Sequence, residues 1–191
     1  VQSVPELIAY AKRNPDGLSY GSSGIGSLTH LQMEVFKALT GTRMVHVPYR
    51  GSSAALTDLV AGHVQVCFDT ISTFGPHIKS GALRLLAVAM PQRNPAFPNI
   101  PTVAESDPAL RSFDLIAWTG VAGPAGMPAP IVARISKEID AALKDEGVVA
   151  RLQAAGAAPA SAPPQAFAKR ISDEVARTGK LVQQLGLDKV K

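Results

Sequence analysis

The stretch Leu18-Ser19-Tyr20-Gly21-Ser22-Ser23-Gly24-Ile25-Gly26-Ser27 decides the reading of this chain. Leu18 to Tyr20 reads as a brief strand, the glycines and serines as a tight turn, and the residues from about Leu28 to Leu39 as a helix stopped by Gly41. In open α/β sheets, ligands sit beyond the carboxyl ends of the strands. The helix N-termini found there carry unpaired N–H groups and a partial positive charge, which together favour anions. Glycines let the backbone come close to a ligand. Ser22, Ser23 and Ser27 add hydroxyls, and His30 falls in the first helical turn. Ser22, Ser23, Gly24, Gly26, Ser27 and His30 are therefore candidate ligand contacts, in a cradle for a carboxylate. The competing reading is a plain strand-helix turn with a serine cap. The spacing GxxGxG matches neither the dinucleotide fingerprint nor the phosphate loop.

Downstream the same passage recurs twice. A strand over Met44 to Val47 runs into Tyr49-Arg50-Gly51-Ser52, followed by a helix over Ala54 to Ala61 that ends at Gly62. Tyr49, Arg50, Gly51 and Ser52 form the second candidate set, because an Arg grips a carboxylate through two parallel hydrogen bonds. An Arg pointing at water is the alternative. The third strand, Val64 to Phe68, leads into Asp69-Thr70 and a short helix to about Lys79. Asp69 reads first as a helix cap and otherwise as a partner for a ligand hydroxyl or ammonium; Thr70 completes the set.

Further strands are expected over Leu83 to Ala89 and Phe113 to Val121, joined by a Pro-rich connection from Pro91 to Pro101. Capping boxes announce helices at Ser3-Val4-Pro5-Glu6 and Thr102-Val103-Ala104-Glu105. After Gly123-Pro124-Ala125-Gly126 the pattern is helical: Ile131 to Leu143, Val148 to Ala154, and Pro164 to about Leu185. Alternation up to about residue 121 implies an α/β fold with a parallel sheet. The helical tail needs a sheet to cover, which suggests two lobes of which the second is incomplete within these residues.

Bulk properties narrow the function classes. Of 191 residues 46% are apolar and only 5% aromatic, which suits a core of aliphatic strands and helices without disulfide or metal support. The formal charge of +4 is spread out, its densest groups being Lys12-Arg13, Lys169-Arg170 and the tail Lys189/Lys191. Such pairs read as solvated helix faces, so no nucleic-acid partner is expected. Cys67 is the single cysteine, in an apolar strand where it serves as a small core residue. No run approaches the roughly 18 apolar residues that cross a bilayer, and no basic-then-apolar leader opens the chain. His30, His46, His63 and His77 show no metal-ligand spacing, and there is no GxSxG elbow. His46 alternates with apolar neighbours and reads as structural. A serine-histidine hydrolase is the least favoured reading, and no metal or cofactor is expected.

Taken in order, these segments resemble the Bug family, the extracytoplasmic receptors of tripartite tricarboxylate transporters. The resemblance is carried by Leu18 to Ser27 with His30-Leu31, and by Met44 to Ser52. It continues through Leu56-Thr57-Asp58-Leu59, Gly62 to Val66, Phe68-Asp69, Pro76 to Gly81 and Leu86-Ala87-Val88, and closes with Pro101 to Glu105 and Gly123 to Gly126. The resemblance implies a two-lobed, Venus-flytrap, periplasmic-binding-protein-like fold. Residues 1–120 would be the second lobe, and 121–191 a helical part returning to the first. It implies a receptor and not an enzyme, capturing a small carboxylate (dicarboxylate, tricarboxylate or acidic amino acid) for integral membrane subunits in the periplasm. The family holds a ligand carboxylate mainly with backbone amides, hydroxyls and water, which favours Gly21–Ser27, then Tyr49–Ser52, then Asp69–Thr70. Two departures stand out. The family's export signal and first-lobe segment have no counterpart in these residues, and Met127 stands where a hydroxyl cap is usual. The alternative is a ligand-sensing effector domain of a transcriptional regulator, which shares the two-lobed architecture.

Overall fold

A computed structural model describes residues 1–187 of the chain. Lys189 and Lys191 lie outside the described residues. The chain divides into two compact units, Val1–Ala117 and Trp118 onward.

The first unit is a parallel α/β layer. Helix α1 (Val4–Arg13) starts at Ser3, whose hydroxyl accepts the Glu6 N–H, and buries Val4, Leu7, Ile8 and Ala11 at helical spacing. Strand β1 (Ser19–Ser22), helix α2 (Leu28–Thr40), strand β2 (Val45–Pro48), helix α3 (Ser52–Ala61), strand β3 (Val66–Cys67) and helix α4 (Ile71–Lys79) follow in alternation. The strands pair in the order β2-β1-β3, both ladders parallel. Register places Tyr20 beside His46 and Val66, Gly21 beside Val47 and Cys67, and Ser22 beside Pro48. Pro48 lacks a donor, and it sits at the last pair of an edge strand where none is needed.

Side chains alternate across the sheet. Tyr20, Ser22 and His46 share one face, which α2 covers with His30. Gly21 and Cys67 share the other, beneath Tyr49 and Val64. The core is built on Leu18, Tyr20, Leu31, Met33, Phe36, Met44 and Val64, all buried. Short helix α5 (Val103–Ser106) opens on a complete capping box, Thr102 N–H to Glu105 and Glu105 N–H to Thr102. A 3-10 turn (Pro108–Leu110) seals the layer with Leu110.

Two expected strands are absent. Of Leu83 to Ala89 only Val88 makes a β-bridge, to Thr102. Phe113 to Val121 forms no ladder, although Phe113 and Leu115 are buried and Gln32 Nε2 donates to the Leu115 carbonyl at 2.8 Å. Apolar runs mark burial, but a strand also needs an adjoining edge, and among the described residues neither segment has one.

The second unit is helical: α6 (Ala129–Ala142), α7 (Glu146–Ala154) and α8 (Pro164–Gln184). Trp118 packs edge-on against Phe167, ring centroids 5.5 Å apart, with the Arg170 guanidinium 5.5 Å from the same indole. Ile131, Ile135, Ile171 and Val175 stay exposed on α6 and α8. No helix among the described residues is long and apolar enough to cross a membrane.

Candidate functional site

Because β1, β2 and β3 run parallel, the three loops that leave them open at one edge of the sheet. The glycine-serine loop and the Tyr-Arg-Gly loop touch. Tyr49 N–H donates to the Ser22 carbonyl at 3.0 Å, and a methyl placed on Gly24 would lie 3.6 Å from the Tyr49 carbonyl. Gly21 has no room for any side chain: a Cβ there would meet Cys67 Sγ at 2.7 Å and the Tyr49 ring at 3.3 Å. This close approach is what brings the first two loops to the edge of the third strand.

Within the first loop the polar groups are largely spent on one another. Ser22, 1% exposed, bonds His46 Nε2 at 2.6 Å and accepts the Gly24 N–H at 3.3 Å. Thr29 Oγ1 accepts the Ser23 N–H at 2.9 Å and lies within hydrogen-bond distance of the Ser23 and Ser27 hydroxyls. Ser27 caps α2 by accepting the His30 N–H, and donates to the Gly24 carbonyl at 2.7 Å. His30, 3% exposed, accepts the Gly26 N–H through Nδ1 at 3.1 Å. The amides of Gly24, Gly26, Ser23 and Ser27 are thus all occupied. Those of Ile25, Leu28 and Thr29 have no acceptor among the described residues.

Below the loop lies a polar column in which Tyr20 and His30 are buried and His46 and Glu34 half-buried. His46 stacks on His30 at 4.0 Å and on Tyr20 at 4.8 Å between ring centroids. Tyr20 donates to Glu34, which also takes Lys37 Nζ at 2.6 Å. Burial and the neighbouring His30 push the His46 imidazole down to about 4, and burial lowers His30 as well. Burial pushes the Glu34 carboxyl up, but the bonds from Lys37 and Tyr20 outweigh it and hold the group low. Both imidazoles are neutral at pH 7.

The second and third loops offer more. Gly51, at φ 104°, precedes α3 and gives it no side-chain cap, so the amides of Ser52, Ser53 and Ala54 lack acceptors among the described residues. Arg50 is exposed, with no hydrogen bond or ion pair among the described residues. Tyr49 is turned away: its hydroxyl donates to Asp58 at 2.7 Å, and burial followed by that bond pushes the phenol up to about 12. Thr70 caps α4 by accepting the Thr73 N–H, and Asp69 accepts the Thr70 N–H at 2.7 Å. The amides of Ile71 and Ser72 remain without acceptors among the described residues.

The edge therefore presents three helix openings with unspent donors, a free guanidinium, and side chains that shape the turns. Ser22, His30 and Tyr49 belong to the scaffold, while Gly51, Ser52 and Arg50 stand at the opening. Sequence reading passed over Thr29 and the support given by His46. A threonine two residues past a serine cap was the available signal, since its hydroxyl can only reach back into the turn. Among the described residues no group of three His, Cys, Asp or Glu could hold a metal.

The model of the tripartite tricarboxylate transporter family receptor, TctC, matches residues 1–187. The chain belongs to the TctC receptor family. Among its relatives, a UPF0065 protein in the tcbD-tcbE intergenic region of Pseudomonas sp. (strain P51) is 34% identical over 98% of the chain and 55% of its own length. Protein BugT of Bordetella pertussis is 33% identical over 97% of the chain and 56% of its own length.

Among solved structures, R. palustris Rpa4515 with adipate superposes with a TM-score of 0.89 at 34% identity, covering 97% of this chain and 62% of that one. Periplasmic binding protein BugD gives 0.80 at 27% identity over 98% and 62%. MatC (Rpa3494) from Rhodopseudomonas palustris with bound malate gives 0.78 at 29% identity over 95% and 62%. The chain spans about half the length of the curated relatives it matches. Its fold class is that of the periplasmic binding proteins. The family and its structural neighbours are binding proteins, not enzymes, in agreement with the sequence reading.

Proposed function

We propose that this chain supplies the ligand-binding edge of a periplasmic TctC-type receptor that captures a small carboxylate for the membrane subunits of a tripartite tricarboxylate transporter. One observation carries the reading: three helices that follow parallel strands open at a single sheet edge with unspent backbone amides, and Arg50 stands beside them unpaired among the described residues. Fixed N–H dipoles and one guanidinium favour an anion with two or more oxygens. Neighbours described with adipate and with malate support a dicarboxylate. Tricarboxylates and acidic amino acids share the chemistry and belong in the same screen.

In this reading residues 1–120 act as the second lobe and 121–191 as a helical return to the first. The ligand is gripped by Ile25, Leu28 and Thr29 amides, by Ser52 and Arg50, and by the opening of α4 after Asp69-Thr70. Ser22, Ser23, Gly24, Gly26, Ser27, His30, Tyr49 and Gly51 hold those donors in place. Isothermal calorimetry of the full-length protein with adipate, malate, citrate and glutamate tests the assignment. Saturable binding of at least one is expected, and no heat from any of the four would overturn it.

A further inference from the structure

His30 is the third residue of α2, yet its side chain folds back under the loop that precedes it and is only 3% exposed. Its Nδ1 accepts the Gly26 N–H at 3.1 Å, which fixes the neutral tautomer with the proton on Nε2, 3.9 Å from Glu34 Oε1. Gly26 itself stands at φ 75°, a conformation that glycine adopts freely. Among the described residues, His30 Nδ1 is the one side-chain acceptor on the Gly26 amide, in the residue that sets the path from Ile25 to the start of α2.

We propose that neutral His30 is a positioning residue, a latch that holds Gly26 and thereby fixes the donors of the glycine loop, and that protonation of Nδ1 opens the latch and weakens ligand capture. The inference deepens the carboxylate-receptor reading and rests on it for its effect on affinity. The physical reason is simple. An imidazolium has two N–H donors and no acceptor, so the Gly26 amide would face another donor and must turn away. Gly26 is exposed, so its freed amide turns to solvent, and the loop loses the bond that fixes this peptide above His30.

The titratable and charged groups around His30 come from three elements. Glu34 and Lys37 lie on α2, Tyr20 on β1 and His46 on β2. Glu34 would welcome a charged imidazole, but it already takes Lys37 and Tyr20. Burial holds His30 below its ordinary range, Glu34 opposing and Lys37 reinforcing. The latch is closed at neutral pH and opens on acidification.

Two substitutions separate positioning from bulk. His30→Asn places an amide oxygen near the Nδ1 position and does not titrate, whereas His30→Gln carries its polar group farther out and leaves Gly26 without an acceptor. In full-length protein labelled with 15N-glycine, the Gly26 protection factor is expected to fall about tenfold or more as wild-type His30 takes its proton. It should stay high in His30→Asn and low in His30→Gln at every pH. The dissociation constants for adipate and malate should follow, the wild-type to His30→Asn ratio rising about tenfold on acidification; ligand protonation is common to both proteins and cancels. A wild-type Gly26 amide indifferent to His30 titration overturns the latch, and that measurement needs no variant to fold. Equal impairment of the Asn and Gln variants overturns it too. Should Gly26 follow His30 while neither dicarboxylate binds, the latch stands and the dicarboxylate reading falls.

Discussion

Ser22 Oγ lies 2.6 Å from His46 Nε2, buried beneath the glycine loop with the serine 1% exposed. A serine hydroxyl against an imidazole resembles a nucleophile and its base, but geometry alone does not make a catalyst. Here the hydroxyl also accepts the Gly24 amide and has no path to a substrate. The pair is a strut between β1, β2 and the loop. Ser22→Ala should leave His46 and the Gly24 amide unpaired and cost about 1–3 kcal/mol of stability, read as a shift in denaturation midpoint. A serine-reactive phosphonate should give no adduct at Ser22 in the native protein by mass spectrometry.

The same stack predicts acid sensitivity. His46 sits at about 4, below the ordinary histidine value of about 6.5, because burial and His30 disfavour its charge. The unfolded chain then binds the proton that the folded one refuses. Stability is fully present above pH ~6.5 and is lost as pH falls from there toward 4, where folded His46 also protonates. Denaturation midpoints measured across that window should decline, and His46→Gln should flatten part of the slope.

Gly21→Ala should be damaging well beyond its size. The new methyl would press on Cys67 Sγ, 2.7 Å away, with the Tyr49 ring and Val64 closing the other sides at 3.3 and 3.4 Å. Overpacking of this kind costs about 1–3 kcal/mol. Adding Cys67→Ala removes the sulfur and should restore a measurable part of the loss, so a double-mutant cycle on thermal midpoints checks the contact.

Thr29 ties the loop together, accepting the Ser23 amide and lying 3.0 Å from the Ser27 hydroxyl. Thr29→Val keeps the shape and removes those bonds. It should cost about 1 kcal/mol in stability and weaken adipate or malate binding, while Thr29→Ser keeps both near wild type.

Arg50 is exposed and takes no part in the core. Arg50→Ala should leave the denaturation midpoint within about 0.5 kcal/mol of wild type. Dicarboxylate affinity, by contrast, should fall about tenfold, the loss expected when a charge-assisted bond to a carboxylate is removed.

Much of this arrangement was legible in the order of residues. Caps at Ser3, Ser27 and Thr102, and the stops at Gly41 and Gly62, mark helix ends almost to the residue, whereas for α4 the reading put the cap on Asp69 and the structure puts it one residue later, on Thr70. A parallel sheet followed from alternation, and parallel strands oblige their exits to share an edge. Fine assignment within the loops was not legible. Nothing in the spacing says that the Gly26 amide is taken by His30 or that Ile25 keeps a free one, since both depend on which way each peptide turns. Phe113 and Leu115 are apolar and buried as their pattern requires, yet whether they join a ladder depends on a neighbouring edge that their own sequence does not encode. His46 was read as structural from its apolar neighbours. Its position beside Tyr20 in the register explains why, and also makes it the loop's foundation.

Gly21 has a consequence for how such a receptor can diversify. With sulfur, phenol and valine crowded where its side chain would stand, Gly21 leaves the strand ends little room for change. Under the proposed function, discrimination among anions of different length would then be written on the outer rim, in exposed positions such as Ile25, Arg50 and Ser72.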